Sequence, residues 1–308
     1  MVKGRNDGDD RTFLAELYGV EFPESLFQFH EFVAGLTAKE RRGYFGGCFS
    51  ALRMSPGGPL EVLALPRTRR AKLQPALSML LHWRFYRDPP EFFSCLYGGT
   101  DALHWGLLLD DPARGFRGAA SFYHSDGDCI EEYHGLFDAV LQQAEENIEG
   151  NDELIEDDPD EEAHYRCEQE VLSSFLERLR AFMRAKGIRR NERRGAGIST
   201  DTGLDLIVPG KPTSRPPSVF APNGDTLREP EVIENLVAQA LIKCEKGDPI
   251  PALGLGRSLW YWGGTKYSND GYRLMRRAYE VLERPTLVKV LDLHHRHRDL
   301  PSVDLLRK

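Results

Sequence analysis

Apolar residues recur along this chain with two periods, and the switches between them outline its elements. Phe13, Leu14, Leu17 and Val20 share one face at helical spacing, and so do Phe22, Leu26, Phe29, Phe32 and Val33. Pro23 suits the first turn of that second helix, where its missing N–H costs nothing, and His30, off the stripe, is expected at the surface. A turn over Ser55–Pro59 leads to a strand reading for Leu60–Leu65. From Leu81 to Arg87 apolar and polar residues alternate as in a half-buried strand. Asp88-Pro89-Pro90 should end it, because proline cannot donate to a ladder and restricts the residue before it. Phe92–Tyr97, stopped by Gly98-Gly99, reads as the hairpin partner. Further strands are expected over Leu103–Leu109 and Phe116–Tyr123, then a turn at Ser125–Asp128 and a helix over Leu136–Ala144.

The second half opens with the longest helical stripe, Val171, Leu172, Phe175, Leu176, Leu179, Phe182 and Met183, with Gly187 as its C-terminal cap. Leu204–Val208 is β-like, and Gly210–Pro217 reads as a proline-rich loop. Val232, Leu236, Val237, Ala240 and Leu241 predict a helix ending near Glu245-Lys246-Gly247-Asp248-Pro249. Ala252–Trp262 reads as a dense aromatic strand in which Gly254 and Gly256 permit close backbone packing; no phosphate-binding glycine pattern accompanies them. Helices over Asp270–Glu283 and Leu287–His294 follow. Segregated strands and helices make the fold class α+β, with two domains, each an antiparallel or mixed sheet with flanking helices. The expected division is 1–144, an acidic connector 145–165, and 166–308 carrying the candidate site.

Charge sharpens this division. Glu145–Glu162 holds eleven acidic residues and no basic one; setting them aside turns the net −8 of the 308-residue chain into +3. Such self-repelling runs usually form mobile connectors. The run lacks EF-hand spacing, so no calcium site is expected. His294, His295 and His297 sit beside Arg296 and Arg298, which disfavour a cation, so no metal site is expected there either. Arg189, Arg190, Arg193 and Arg194 have no interleaved aromatics for base stacking; a solvated basic surface is expected, with no direct nucleic-acid binding. Five widely spaced cysteines without a CxxC pair support neither a disulfide framework nor a zinc knuckle. With no apolar run of about 18 residues and a charged start in place of a signal sequence, no membrane role and an intracellular location are expected.

The run His82-Trp83-Arg84-Phe85-Tyr86-Arg87-Asp88-Pro89-Pro90-Glu91-Phe92 closely resembles one in the histone PARylation factor family. Phe22-Pro23-Glu24, His104–Asp111, Asp126-Gly127-Asp128, Gly195-Ala196-Gly197, Leu253-Gly254-Leu255-Gly256 and Ala278-Tyr279 fall in the same order. Phe22-Pro23-Glu24 with Trp105-Gly106 and Asp110-Asp111-Pro112 also resembles the SUKH superfamily of binding and immunity proteins. The first resemblance implies an accessory factor that completes the active site of a poly-ADP-ribose polymerase and directs modification to serine. In that family a glutamate shortly before the Leu-x-Leu-Gly run enters the polymerase site, where a carboxylate can act as general base toward an acceptor hydroxyl.

Here the window is Cys244–Pro249. Counted back from Leu253 without a gap, the position falls on Lys246; a one-residue loop difference selects Glu245, and Asp248 is the reserve. The candidate site is therefore Glu245 as catalytic carboxylate, with Lys246, Asp248 and Arg257 in binding roles. The implied partners are an ADP-ribosyltransferase and an acceptor protein, with NAD reached only through the transferase and no cofactor held alone.

Departures from the family are equally readable. A helix-rich insert is missing, a Tyr-Arg pair has no match within Ile198–Pro217, and Ser258 replaces an acidic residue. They imply a distant member with a different partner, cytoplasmic if microbial and nuclear if eukaryotic. The alternative is a non-catalytic SUKH-like binding or immunity module. An exposed Glu245 beside Lys246 and Arg257 favours the accessory factor; a Glu245 buried in a salt bridge favours the module.

Overall fold

The computed structural model describes residues 7–47, 50–98, 102–123, 130–157, 159–189, 197–209, 214–222, 224 and 226–307. The expected turn at Ser125–Asp128, Arg190, Arg193, Arg194, Gly195-Ala196 and the start of the proline-rich loop lie outside the described residues. Helices α1 (Asp7–Tyr18), α2 (Glu24–Gly35) and α3 (Ala38–Phe45) come first. β1 (Ser55–Pro56), α4 (Gly58–Ala64), α5 (Arg67–Arg70) and a 3-10 turn (Met79–Leu81) lead into β2 (Phe92–Tyr97), β3 (His104–Leu108), β4 (Gly118–Phe122) and β5 (Glu131–Tyr133). Two long helices follow, α6 (Leu136–Asp157) and α7 (Glu162–Lys186). The chain then forms α8 (Pro230–Glu245), α9 (Ile250–Trp262), α10 (Ser268–Val281) and α11 (Pro285–Arg296).

The strands make one antiparallel sheet in the order β1-β2-β3-β4-β5, a meander, so the fold is α+β. Phe92 faces Leu108, Gly106 faces Ala120 and His104 faces Phe122, while the register shifts between Ser94 and Leu96. Because side chains alternate across a strand, this register sorts them onto two faces. Phe93, Trp105, Leu107 and Ala119 join the core beneath α2, α4 and α6. Phe92, Leu108, Ala120 and Phe122 pack instead against Leu204 and Tyr261 of the second half. A sheet covered on both faces explains why its central strands carry apolar residues at nearly every position. Gly106 is required by this arrangement: a Cβ there would lie 2.5 Å from the Phe92 ring.

Several segments differ from what their patterns suggested. Leu81–Arg87 is not a strand but a series of turns after the 3-10 turn, with Trp83 at φ +57°. Its alternate polar residues point inward: Arg84 donates to the carbonyls of Leu80, Pro89 and Phe92 at 2.9, 2.8 and 2.7 Å. One buried guanidinium thus satisfies carbonyls that a ladder would otherwise engage. Leu60–Leu65 lies mostly in helix α4, which Pro59 opens. Ala252–Trp262 is helical, and its strand-like density of apolar residues reflects a helix buried nearly all round. Gly254 and Gly256 do serve close packing, against Pro216 and Met275. His30 is buried, not at the surface.

The acidic run is helical up to Asp157 in α6, and α7 begins at Glu162. Its charges lie outward, while Asn147 and Asn151, one turn apart, are buried, and Asn147 donates to the Ala51 carbonyl at 2.9 Å. Arg180 of α7 pairs with Glu145 at 2.6 Å, offsetting part of the repulsion. The stripe predicted on α7 is buried in the first core through Leu172, Phe175, Leu176 and Leu179, and Gly187 caps the helix at φ +67°. A second sheet was expected in 166–308. There, among the described residues, only the bridges Ile198–Leu206 and Phe220–Leu227 form. The apolar residues of that half serve instead to pack α8, α9, α10 and α11 around a core of their own. Among the described residues no helix is long and apolar enough to cross a membrane.

Candidate functional site

The segment that carried the resemblance joins the two halves of the molecule. Glu91, fully buried just before β2, accepts from Arg257 Nη2 of α9 at 2.5 Å and from the Tyr279 hydroxyl of α10 at 2.5 Å. Asp110 lies 3.5 Å from the same guanidinium and also pairs with Arg117, which reaches Glu132 at 2.6 Å. Burial alone would push the Glu91 carboxyl up, but Arg257 and the Tyr279 hydrogen bond outweigh it and hold it below the usual range. For Asp110 burial wins, and its carboxyl is raised despite Arg117 and Arg257. The difference follows the contacts: Arg257 hydrogen-bonds Glu91 but only approaches Asp110. Trp260 Nε1 donates to the Asp88 carbonyl at 3.1 Å, while Asp88 itself pairs with His104 at 2.9 Å. Together these contacts seat α9 against the sheet.

Beyond α9, the chain end is fastened to the same segment. Arg298 stacks between Trp260 and Tyr86, 3.6 and 3.9 Å from the ring centres, and donates to a carbonyl of each. The Trp83 amide donates to Val303 at 2.7 Å, and the Leu305 amide donates to His82 Nδ1 at 3.1 Å. Glu61, His82 and Asp304 bring ligand-type atoms within 4.8 Å of one another. A metal would need the lone pair of His82 Nε2. With Nδ1 accepting from Leu305, the neutral ring carries its proton on Nε2, toward Glu61 at 3.4 Å. The trio is therefore better read as a tether for the tail.

His294, also buried here, is held well below its usual pKa, chiefly by burial and then by the charges of Arg84, Arg298 and His295. Below the ordinary histidine value of about 6.5 the unfolded chain binds a proton that the native state refuses. Burying His294 in its neutral form therefore costs stability that grows as pH falls from about 6.5 toward its depressed native value, at up to about 1.4 kcal/mol per unit. Melting temperature measured between pH 7.5 and 5.5 should therefore fall less for H294F than for the parent.

At the far end of α9 lies the candidate carboxylate. α8 ends at Glu245 with Gly247 at φ +88°; the Gly247 amide donates to Cys244 at 3.0 Å and the Asp248 amide to Lys243 at 3.0 Å. The helix ends where the sequence predicts, and Gly247 in the left-handed region closes it. Glu245 and Lys246 are exposed, and Glu245 has no hydrogen-bond or ion-pair partner among the described residues. A free carboxylate at the negative end of a helix adds nothing to helix stability. Asp248 is half-buried and accepts from Ser214 Oγ at 2.9 Å. The Cys244 thiol, beneath the turn, is pushed up by burial and stays protonated, which leaves it a poor nucleophile. Arg257, expected beside Glu245, is instead buried in the Glu91 pair, so only Glu245, Lys246 and Asp248 come together at the turn.

A family model described as Histone PARylation factor 1 matches residues 9–212. The chain belongs to the Histone PARylation factor 1 family. It is similar to Histone PARylation factor 1 of Bos taurus, 23% identical over 329 residues that cover 97% of this chain and 90% of the relative. The Mus musculus protein is likewise 23% identical, over 97% of this chain and 89% of its own length. The Danio rerio protein is 31% identical over 122 residues, 36% of this chain and 33% of the relative. The match to the Histone PARylation factor 1 model stops before the Glu245 turn, whereas the two full-length similarities cover nearly the whole chain. Sequence reasoning missed the Glu91–Arg257–Tyr279 junction. Its one available signal was an acid and a base placed amid otherwise aromatic or apolar runs, Glu91 beside Phe92-Phe93 and Arg257 within Leu253–Trp262.

Proposed function

We propose that this protein is an accessory factor for protein ADP-ribosylation that supplies the Glu245 carboxylate as general base to a partner ADP-ribosyltransferase. The observation that carries the reading is the exposed, unpaired Glu245 at the tip of a rigidly seated helix pair, in a chain of this family. In a joint site the carboxylate would take the proton of an acceptor hydroxyl as that oxygen attacks the ribose C1′ of NAD held by the transferase. A hydroxyl is a weak nucleophile without such help. Lys246 and Asp248 flank the carboxylate and would contact the partner. NAD belongs to the partner in this reading, because Gly254 and Gly256 are covered by Pro216 and Met275 and offer no phosphate cradle. The protein would act inside the cell, where NAD and transferase meet.

The test is reconstitution. The transferase that co-purifies from the native host is assayed for ADP-ribose transfer to protein with and without this chain, and stimulation is expected. Stable binding without stimulation would overturn the reading and fit a non-catalytic SUKH-like module.

A further inference from the structure

On the opposite part of the molecule from the sheet's second-half contacts, α2, α3, β1, α4 and α5 enclose a half-open cavity of about 570 Å³. Its floor is apolar, built by Val33, Phe45, Pro56, Leu60, Leu63 and Leu65. Four arginines also line it, Arg41 and Arg42 from α3 and Arg67 and Arg70 from α5, and among the described residues no carboxylate does. Arg41 and Arg42 are exposed and have no ion-pair partner among the described residues. Arg70 is about nine-tenths buried: Nη1 donates to Asp10 at 2.7 Å, but its buried Nε–H meets no acceptor among the described residues. That nitrogen is shielded from the cavity, so the guanidinium heads able to take an anion are those of Arg41 and Arg42.

We propose that this cavity binds a small amphiphilic carboxylate, an apolar chain or ring in the cavity with its anionic head on the arginine rim. The volume lies in the range of small-ligand sites, roughly 300–1,000 Å³. The apolar floor supplies affinity through buried area, and Arg41 and Arg42 on the rim select the sign of the head group. The assignment uses none of the groups at the Glu245 turn and stands apart from the transferase reading.

Decanoate and 1-decanol, titrated separately into the full chain by calorimetry below their aggregation limits, test it. Decanoate should bind saturably and at least about tenfold more tightly than the alcohol, as expected for a charge-assisted hydrogen bond. R41Q/R42Q should weaken decanoate about tenfold and change 1-decanol less than about twofold, because only the anionic head is read by these side chains. Both arginines are exposed, so the melting temperature should not move; A64W, at the exposed mouth, should block both ligands. Absent saturable binding, equal affinities for acid and alcohol, or an R41Q/R42Q variant that binds decanoate like the parent would each overturn the proposal. An acidic amphipathic peptide displacing decanoate at lower concentration would assign the cavity to a protein partner and overturn it too.

Discussion

R257M should cost about 3–5 kcal/mol of folding stability, the range for removing one partner of a buried ion pair. The substitution is close in volume, so a cavity is a minor part of the loss. The main cost is that Glu91 and Asp110 remain inside the protein with their shared cation gone. Asp110 keeps Arg117, but Glu91 keeps only the Tyr279 hydroxyl, and its Oε2 already lacks a hydrogen-bond partner among the described residues. Set against a usual total of roughly 5–15 kcal/mol, such a loss consumes from a fifth of the stability to all of it. Urea denaturation of parent and variant measures it directly. E91Q/R257M should recover part of the deficit, since the orphaned charge disappears with its partner. A single variant within about 1 kcal/mol of the parent would mean that this pair does not hold α9 to the sheet.

E245Q should reduce stimulated ADP-ribose transfer by about 10²–10⁴-fold, the usual worth of a positioned general base. That corresponds to roughly 3–5 kcal/mol on the barrier, from a change of one atom. Glutamine keeps the size and one acceptor but cannot take a proton at neutral pH. Because Glu245 is exposed and unpaired, the melting temperature should stay where it is, and so should co-purification with the transferase. This separates lost chemistry from lost folding or lost docking. D248N is the informative companion: its carboxylate is engaged by Ser214, and its loss should lower stimulation far less. A reversed order of effects would transfer the base to Asp248.

Much of the architecture is legible in the sequence, and the departures from it share a cause. The α7 stripe, its Gly187 cap, the Gly247 terminus and the three central strands all follow from local spacing and backbone chemistry. Patterns went wrong where burial is not one-sided. α9 is apolar on every face, so its residues showed no helical period and looked like a strand. Leu81–Arg87 alternates because Arg84 reaches inward to three carbonyls, not because one side faces water. The acidic run looked mobile because its charges dominate the composition; its buried residues Asn147 and Asn151 are polar and carry no hydrophobic signal. The helix end that exposes Glu245 follows from local spacing, but the choice of Glu245 over its neighbour Lys246 rests on the family resemblance alone. Arg257 could not be placed, because its partner Glu91 lies 166 positions away.

The tail bound by Trp83 and His82 has a practical corollary. Val303 and Leu305 complete hydrogen bonds for the very segment on which α9 rests, and Arg298 is wedged between two rings a few residues earlier. A purification handle or fluorescent label joined close after Leu305 would tug on a fastening that reaches α9 through Trp260. Attachment ahead of Asp7 leaves that fastening alone.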